Sequence, residues 1–589
     1  MLAPVAYVAM FSIFNAYDDE GYFLVTLREY LAGQPLFTQA IPIYGPVYYE
    51  VMGGLFRLLG LATTHDNGRL VTLAVWLTAS ALGGMAAFRL TRSLWLGAGG
   101  QIVTFYVLVA LVDEPLHPSG MVAVLLTGLV LAVTYIAPRP RAAAIAIGGI
   151  TAALLLVKLN VGAFAALAVA FAFAASLNLS YRRFLGPLAA LAVVALPPIV
   201  MAGLWGRDWV LEFAALTMIS GAAVAAAALA SAPRPPPPSL AWLIAGGLGV
   251  VAVSLGVALA GGTSLQAIVN GPLLGAFRFP GVFVFPLRID LVNVAWAALW
   301  LAAALAVSLW RLDARMPVAA TGAVRIAVGF LCWATLLRLP TSVLLFALPL
   351  AWIAILPPRG PEDRLGLYPR IMLPTLAVLQ SLQAYPVAGT QLALAGVALV
   401  PVGAVILSDG IAELRLAGAQ SRPPRMHQGI WVAPAAMALS LAAFLYLGYV
   451  TAIGFAARTP LGIAGSDMIR LPSGQAAPLA SLVAAINRRC QTFITLPGMN
   501  SLYIWTGQWS PVQLDSEVWW SALDSSQQQA VLEHLKGRQG LCVVRNQTLV
   551  GFWAEGRQLP DRPLIRFIDS QFTVTGTYGG YELLVEATQ

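Results

Sequence analysis

Charge is what this sequence has least of. Asp, Glu, Lys and Arg make up 10% of its 589 residues, against about 25% in a soluble globular protein. With 59% hydrophobic residues and a mean hydropathy of +0.79, that scarcity excludes an ordinary soluble domain. Dyad alternation of polar and apolar residues is also missing from the Ala-, Leu- and Gly-rich runs, which excludes an outer-membrane barrel. No G-x-G-x-x-G or Walker loop occurs in the polar C-terminal part, so a nucleotide site there has no support. The net charge is +8, yet the arginines are spread over many short connections rather than gathered into one patch. Nucleic acid is therefore not an expected partner.

What the sequence does hold is a series of apolar runs of about 17–25 residues, the length that crosses a hydrocarbon core. Backbone groups in lipid must be satisfied internally, so these runs are helices. They fall at about 1–16, 69–90, 94–112, 119–137, 142–157, 160–178, 184–203, 210–231, 240–260, 291–310, 320–337, 341–356, 371–385, 391–408 and 429–456. The fold class is a polytopic α-helical membrane protein of about 13–15 transmembrane helices with a C-terminal soluble α/β domain. The first run starts at Met1 with no basic region and no small-residue cleavage site, which reads as a retained helix rather than a signal peptide. At about 16 residues it is short, so the natural start is expected upstream.

Arg89 and Arg92, Arg139 and Arg141, Arg182 and Arg183, Arg234, Arg311 and Arg315, the stretch Arg359 to Arg370, and Arg415, Arg422 and Arg425 occupy alternate connections. The positive-inside rule makes those connections cytoplasmic and turns the intervening loops outward. Pro-rich segments 232–239 and 421–425 read as stiff cytoplasmic connectors. Residues 1–457 form the membrane domain, with a structured first outer loop at 17–68, and residues 458–589 form the soluble domain. Within that loop, Tyr22 to Leu31 reads as an amphipathic helix with Phe23, Leu24, Leu27 and Leu31 on one face, and Val47 to Leu61 as a second; both suit the membrane surface. In the soluble domain, Leu479 to Arg489 and Ser525 to Lys536 read as helices. Thr492 to Leu496, Leu541 to Arg545 and Tyr581 to Val585 read as strands. Cys332 lies in an apolar helix as a buried thiol. Cys490 and Cys542 each adjoin a strand, and a disulfide is open to them if those strands are neighbours outside the cytoplasm.

In a chain so poor in charge, Asp18, Asp19 and Glu20 stand together where the first apolar run ends. Such a cluster can supply a general base, alone or metal-assisted, for an acceptor hydroxyl at the bilayer surface. It can also simply cap the next helix, whose N-terminus favours negative charge. Asp113, Glu114 and His117 end the third helix on the same side. They offer ligands for a divalent cation such as Mg or Mn, a second acid/base pair, or a polar turn held by two prolines. Lys158 and Asn160 interrupt an apolar stretch, where the lysine either holds a phosphate or snorkels to headgroups. Arg338, with Arg207, Arg278 and Arg288, supplies further outward cations. Tyr44, Tyr48 and Tyr49 fit an interfacial belt or a sugar-binding face. Tyr385 and Gln391, flanking small residues between two helices, fit a close-packed pocket.

A first helix, an acidic element opening a long structured outer loop, many further helices and an exported domain resemble the GT-C superfamily of lipid-linked-sugar glycosyltransferases. Tyr17-Asp18-Asp19-Glu20-Gly21-Tyr22 is similar to the Asp-Glu element of protein O-mannosyltransferases and lipid A aminoarabinose transferases, and Asp19-Glu20 aligns best with that pair. Asp113-Glu114 looks like the second acidic loop of several branches. The likeness covers the N-terminal 180 residues best. Trp519-Trp520-Ser521 departs from the W-W-D triplet of oligosaccharyltransferases, which argues against that branch. The resemblance implies a polyprenyl-phosphate monosaccharide donor with its phosphate near Lys158 or Arg338, and an acceptor hydroxyl of an envelope lipid or glycan beside Asp19. It also implies one inverting displacement, surrounding membrane lipids, and a bacterial inner-membrane location with the site and C-terminal domain outside. A transporter or flippase of lipid-linked precursors is the competing reading; such proteins more often show two related halves with broken helices, and no clear internal repeat occurs here. A scaffold recruiting an envelope partner is a third.

Overall fold

The computed structural model describes all residues except 38–43, 232–236, 276–282, 338–344, 361–364, 422–428, 513–515, 517 and 588–589. Arg234, Arg278, Arg338, Arg422 and Arg425 therefore lie outside the described residues, as do most of the two proline-rich connectors. Four elements open the chain: α1 (Leu2–Met10), α2 (Asp19–Leu31), α3 (Pro46–Leu59) and α4 (His65–Thr91). Among the described residues nine helices are long and apolar enough to cross a membrane. They are α4, Pro140–Val157, Ser180–Leu204, Asp208–Ala230, Leu240–Ala260, Leu291–Trp310, Val318–Leu336, Gln391–Gln420 and Val432–Ala456. Shorter apolar helices, Leu94–Val109, Ser119–Val133 and Leu159–Ala175, pack among them. The protein is an integral membrane protein. In Gln391–Gln420 every residue from Gln391 to Leu407 is buried, whereas Leu291–Trp310 and Val432–Ala456 present apolar side chains outward.

Three expected spans take other forms. The first run is helical only over Leu2–Met10. The run at 341–356 contains a 3-10 segment, Leu348–Ile355, and the run at 371–385 becomes Leu367–Gln380; every residue of both is buried. Pro349 and Pro374 interrupt regular hydrogen bonding there, and irregular backbone is tolerated at membrane depth when protein encloses it. Two expected loop arginines are buried as well. Arg182 donates to the carbonyls of Ala228 and Leu229. Arg370 donates to both oxygens of Asp409, at 2.7 and 3.1 Å. Arg325 reaches the same Asp409 and also Glu413, at 3.2 and 3.4 Å. Two guanidinium groups and two carboxylates neutralise one another at this end of the bundle, as buried charge requires.

The C-terminal domain follows Val432–Ala456. A short pair, β1 (Thr459–Pro460) and β2 (Arg470–Leu471), precedes a four-stranded sheet of β3 (Thr492–Leu496), β4 (Leu541–Arg545), β5 (Phe572–Tyr578) and β6 (Tyr581–Glu586). Its order is β3-β4-β6-β5; β3 and β4 are parallel and the other pairs antiparallel. Helices Ser473–Arg489 and Ser525–Leu535 carry the expected amphipathic segments. The unexpected strand, β5, is mostly exposed and so lacks the buried alternation that marks a strand in sequence. Cys490 and Cys542 are joined in a disulfide, placed by the β3–β4 register that sets Phe493 opposite Cys542.

This domain sits directly on the start of the membrane bundle. Arg470 N–H donates to Phe11 O, and the Gln475 side chain to Phe14 O. Asp66, in the first turn of α4, accepts from the amides of Asp467 and Met468. Arg28 donates to Gln508 O and lies 4.2 Å above the Trp509 ring. The amphipathic helix expected on the membrane surface is instead enclosed: Tyr22, Phe23, Leu24, Val25 and Leu27 of α2 are buried.

Candidate active site

The opening acidic cluster separates into three environments. Glu20 is buried in a bidentate pair with Arg69 (2.8 and 2.6 Å), and Arg69 also donates to the carbonyls of Met10 and Ile13. That arrangement ties the end of α1 to the start of α2. Asp18 is the N-cap of α2, and its carboxylate accepts from Gly21 N at 3.2 Å, from Ser501 N at 2.7 Å and from Ser501 Oγ. Asp19 is only partly buried, and its carboxylate makes no hydrogen bond among the described residues. Its surroundings are electrostatic. Burial and then the Asp113 carboxylate push its pKa up to about 7.

The second acidic element comes to the same place. Asn15 Nδ2 donates to Asp113 Oδ2 at 3.3 Å, bridging the turn before α2 to the loop after Leu94–Val109. Glu114 Oε1 accepts from Thr390 Oγ1 at 2.7 Å. Burial, then Asp19, then Asp113 raise the Glu114 carboxyl to about 8, opposed by Thr390 and Lys158. Asp113 is likewise raised, chiefly by burial.

Lys158 joins two helices, Pro140–Val157 and Leu159–Ala175, as a single extended residue between them. Its Nζ donates to Gln391 Oε1 at 2.5 Å and stands 5.9 Å from the Tyr44 ring centre. Gly45 explains how Tyr44 gets there. Its N–H donates to Val157 O at 2.9 Å, and a Cβ at this position would meet Leu156 O at 2.0 Å, so only glycine permits the approach. Tyr44 OH lies 2.7 Å from His117 Nε2. His117 Nδ1 accepts from Ser119 N–H at 3.1 Å, which leaves the ring proton on Nε2, toward Tyr44. Burial lowers the His117 pKa well below its ordinary value, so the ring is neutral.

Asp19, Asp113, Glu114, His117, Tyr44, Lys158 and Gln391 thus belong to one continuous constellation. Asn160 is turned to the start of its own helix, accepting from Val161 N–H. Tyr385 lies apart beside Trp209, with ring centres 6.3 Å apart. Arg338 is outside the described residues. Tyr48 and Tyr49 are buried rather than spread in a belt; Tyr48 OH donates to Leu116 O, and its ring packs on Phe23. Asn15, Thr390 and Ser501 complete contacts that no sequence pattern marks, because each is an ordinary polar residue whose partner is distant in the chain.

No family model matches this chain, and no curated protein does. Among solved structures it is similar to ArnT from Cupriavidus metallidurans, in a form bound to undecaprenyl phosphate. The identity is 13%, the TM-score 0.49, and the match covers 98% of this chain and 95% of that one. It is also similar to the Archaeoglobus fulgidus oligosaccharyltransferase tethered to an acceptor peptide. There the identity is 11%, the TM-score 0.40, and coverage 100% and 74%. At this level the likeness concerns the course of the chain, and chemistry has to come from the side chains.

The expected divalent cation can be tested against those side chains. Asp113 and Glu114 each have one oxygen already accepting from an uncharged donor. Among the described residues no group of three or more His, Cys, Asp or Glu could hold a metal ion. Mg2+ is usually held by one or two carboxylates together with substrate phosphate and water, and here Asp113 and Glu114 are the carboxylates that would serve.

Proposed function

We propose that this protein is a membrane glycosyltransferase that moves a monosaccharide from a polyprenyl phosphate to a hydroxyl of an extracytoplasmic lipid or glycan, with inversion. One observation carries the reading: of the three opening carboxylates, Asp19 alone is left without a hydrogen-bonding partner among the described residues, and it shares its surroundings with Lys158 through Glu114. A carboxyl whose pKa lies near 7 is suited to act as a general base at neutral pH.

In this mechanism Asp19 takes the proton of the acceptor hydroxyl as its oxygen attacks the anomeric carbon. The bond from that carbon to the phosphate oxygen breaks, and the electron pair leaves with the polyprenyl phosphate. Lys158, held by Gln391, stabilises the charge growing on that phosphate. Glu114 favours the charged lysine whenever its own carboxyl is ionised, and the Tyr44 ring stands 5.9 Å from the ammonium. A divalent ion would have to be held largely by substrate phosphate, and every step above runs without one; transfer in the presence of EDTA tests that.

The arginine-rich connections support an orientation with the site and C-terminal domain outside a bacterial plasma membrane, and the Cys490–Cys542 disulfide suits an oxidising compartment. The test uses the full chain in lipid nanodiscs with undecaprenyl-phosphate mannose, glucose or arabinose, reading release of undecaprenyl phosphate in the presence of envelope extract. Asp19→Asn is expected to lose at least 100-fold in turnover while binding undecaprenyl phosphate normally. Full turnover by that variant refutes the assignment of the base.

A further inference from the structure

The Asp19 carboxylate has no hydrogen bond to orient it among the described residues, so its position is set by the backbone that carries it. That backbone begins at Asp18, which is in the left-handed region (φ 68°, ψ 27°). Aspartate enters that region more readily than most non-glycine residues, and a side chain gripped from outside fixes it there. Ser501, in the C-terminal domain and 483 residues away, supplies the grip. Its N–H donates to one Asp18 oxygen at 2.7 Å and its hydroxyl to the other. The hydroxyl is held in turn by His65 Nε2 at 2.8 Å, from the first turn of α4. His65 is fully buried and stacks on Trp505 of the helix Ser501–Thr506 (ring centres 4.8 Å). Gly21 allows the contact: a Cβ there would meet Ser501 N at 2.1 Å. The chain of donors therefore runs from the membrane domain through the C-terminal domain and back to the residue preceding Asp19.

We infer that Ser501 is a positioning residue for the Asp19 carboxylate, and that the C-terminal domain is thereby a working part of the reaction centre. The inference rests on Asp19 being the base. A simple staple between domains would predict lost stability alone. Positioning predicts lost turnover at unchanged donor affinity, because displacing a base by about 1 Å costs on the order of 100-fold in rate.

The test compares wild type, Ser501→Ala and Asp18→Asn as full-length chains in nanodiscs. The first readout is amide exchange of residues 19–23 by mass spectrometry. The second is turnover of whichever undecaprenyl-phosphate sugar the wild type uses, alongside binding of undecaprenyl phosphate. Ser501→Ala is expected to exchange at least tenfold faster over 19–23, with β3, β4 and β6 unchanged, and to lose 10- to 100-fold in kcat with KM within threefold. Unchanged exchange, or kcat within twofold of wild type, overturns the inference. Asp18→Asn covers the case in which Ser501→Ala does not fold: it is expected to show the same partial loss. If it abolishes turnover as fully as Asp19→Asn does, Asp18 is itself the base and the inference falls. Active Asp19→Asn, or a wild type that turns over none of the sugars, defeats the proposed function separately, and the exchange result then decides the Ser501 contact alone.

Discussion

Lys158 Nζ lies 2.5 Å from Gln391 Oε1 across 233 residues of sequence. The lysine sits at a break between two apolar helices and the glutamine begins a helix whose first residues, Gln391 to Leu407, are all buried, so the pair fixes a cation on a wall of buried side chains. A charge this sequestered is costly, which makes it a candidate for function.

Replacing it should show that work. Lys158→Met keeps the length and removes the charge. A charge-assisted hydrogen bond contributes about 1.5–3 kcal/mol, so kcat/KM for the polyprenyl-phosphate donor should fall about 10- to 100-fold. Because the phosphate gains charge as the bond breaks, part of the loss should be in kcat. Gln391→Leu removes only the group that orients the lysine and should lose less. Equal losses in the two variants would make orientation, rather than charge, the lysine's contribution.

Glu20 should behave unlike its neighbour Asp19. Glu20→Gln leaves the Arg69 guanidinium buried opposite a neutral amide, and breaking a buried pair in this way costs about 3–5 kcal/mol. The expected result is a lower thermal midpoint in detergent and poor yield, with whatever protein folds retaining turnover. Asp19→Asn should reverse that pattern, keeping stability and losing turnover. Its carboxylate has no hydrogen bond among the described residues to lose and stands among like charges. Differential scanning fluorimetry beside the turnover assay separates the two.

The same like charges set a pH dependence. Asp19 is raised to about 7 and Glu114 to about 8. The base works ionised, so turnover should climb about tenfold per pH unit below 7 and level off above it. Stability should move the other way. Between about pH 4 and pH 8 the folded state holds protons on these groups that the unfolded chain has released, so ΔG of unfolding falls as pH rises. Asp18, raised to about 8 mainly by burial, steepens that fall over the same range. Opposite slopes of turnover and thermal midpoint are the outcome to look for; parallel slopes would place the titrating group elsewhere.

How much of this was legible in the sequence follows from what each feature depends on. Helices and their order are written in hydropathy, because lipid leaves the backbone no alternative. Leu348–Ile355 and Leu367–Gln380, which fall in runs read as spans, are apolar for a different reason: protein surrounds them. Asp19, Asp113, Glu114 and Lys158 could be picked out because charge is so rare here that each instance is conspicuous. Nothing local separates Asp19 from Asp18 or Glu20, though. The difference lies in Ser501 and Arg69, and neither is adjacent in sequence. Ser501 is one serine among many, and only folding gives it a partner.

The disulfide carries a prediction of its own. Cys490 and Cys542 are 52 residues apart, with Cα atoms 5.7 Å apart. Closing a loop of that length restricts the unfolded domain by about 4 kcal/mol in the chain-entropy model. Reduction should therefore lower the unfolding midpoint of the C-terminal domain more than that of the helical bundle, which is held by apolar packing. The consequence should extend to the membrane domain's chemistry: β3, which Cys490 precedes, leads into the helix Ser501–Thr506, whose first residue grips Asp18. Reduced protein kept below its new midpoint should retain turnover, since the register of β3 and β4 still positions that helix. Above the midpoint, turnover should vanish while undecaprenyl phosphate still binds. If turnover persists after near-ultraviolet dichroism shows the sheet domain unfolded, the C-terminal domain has no part in the reaction.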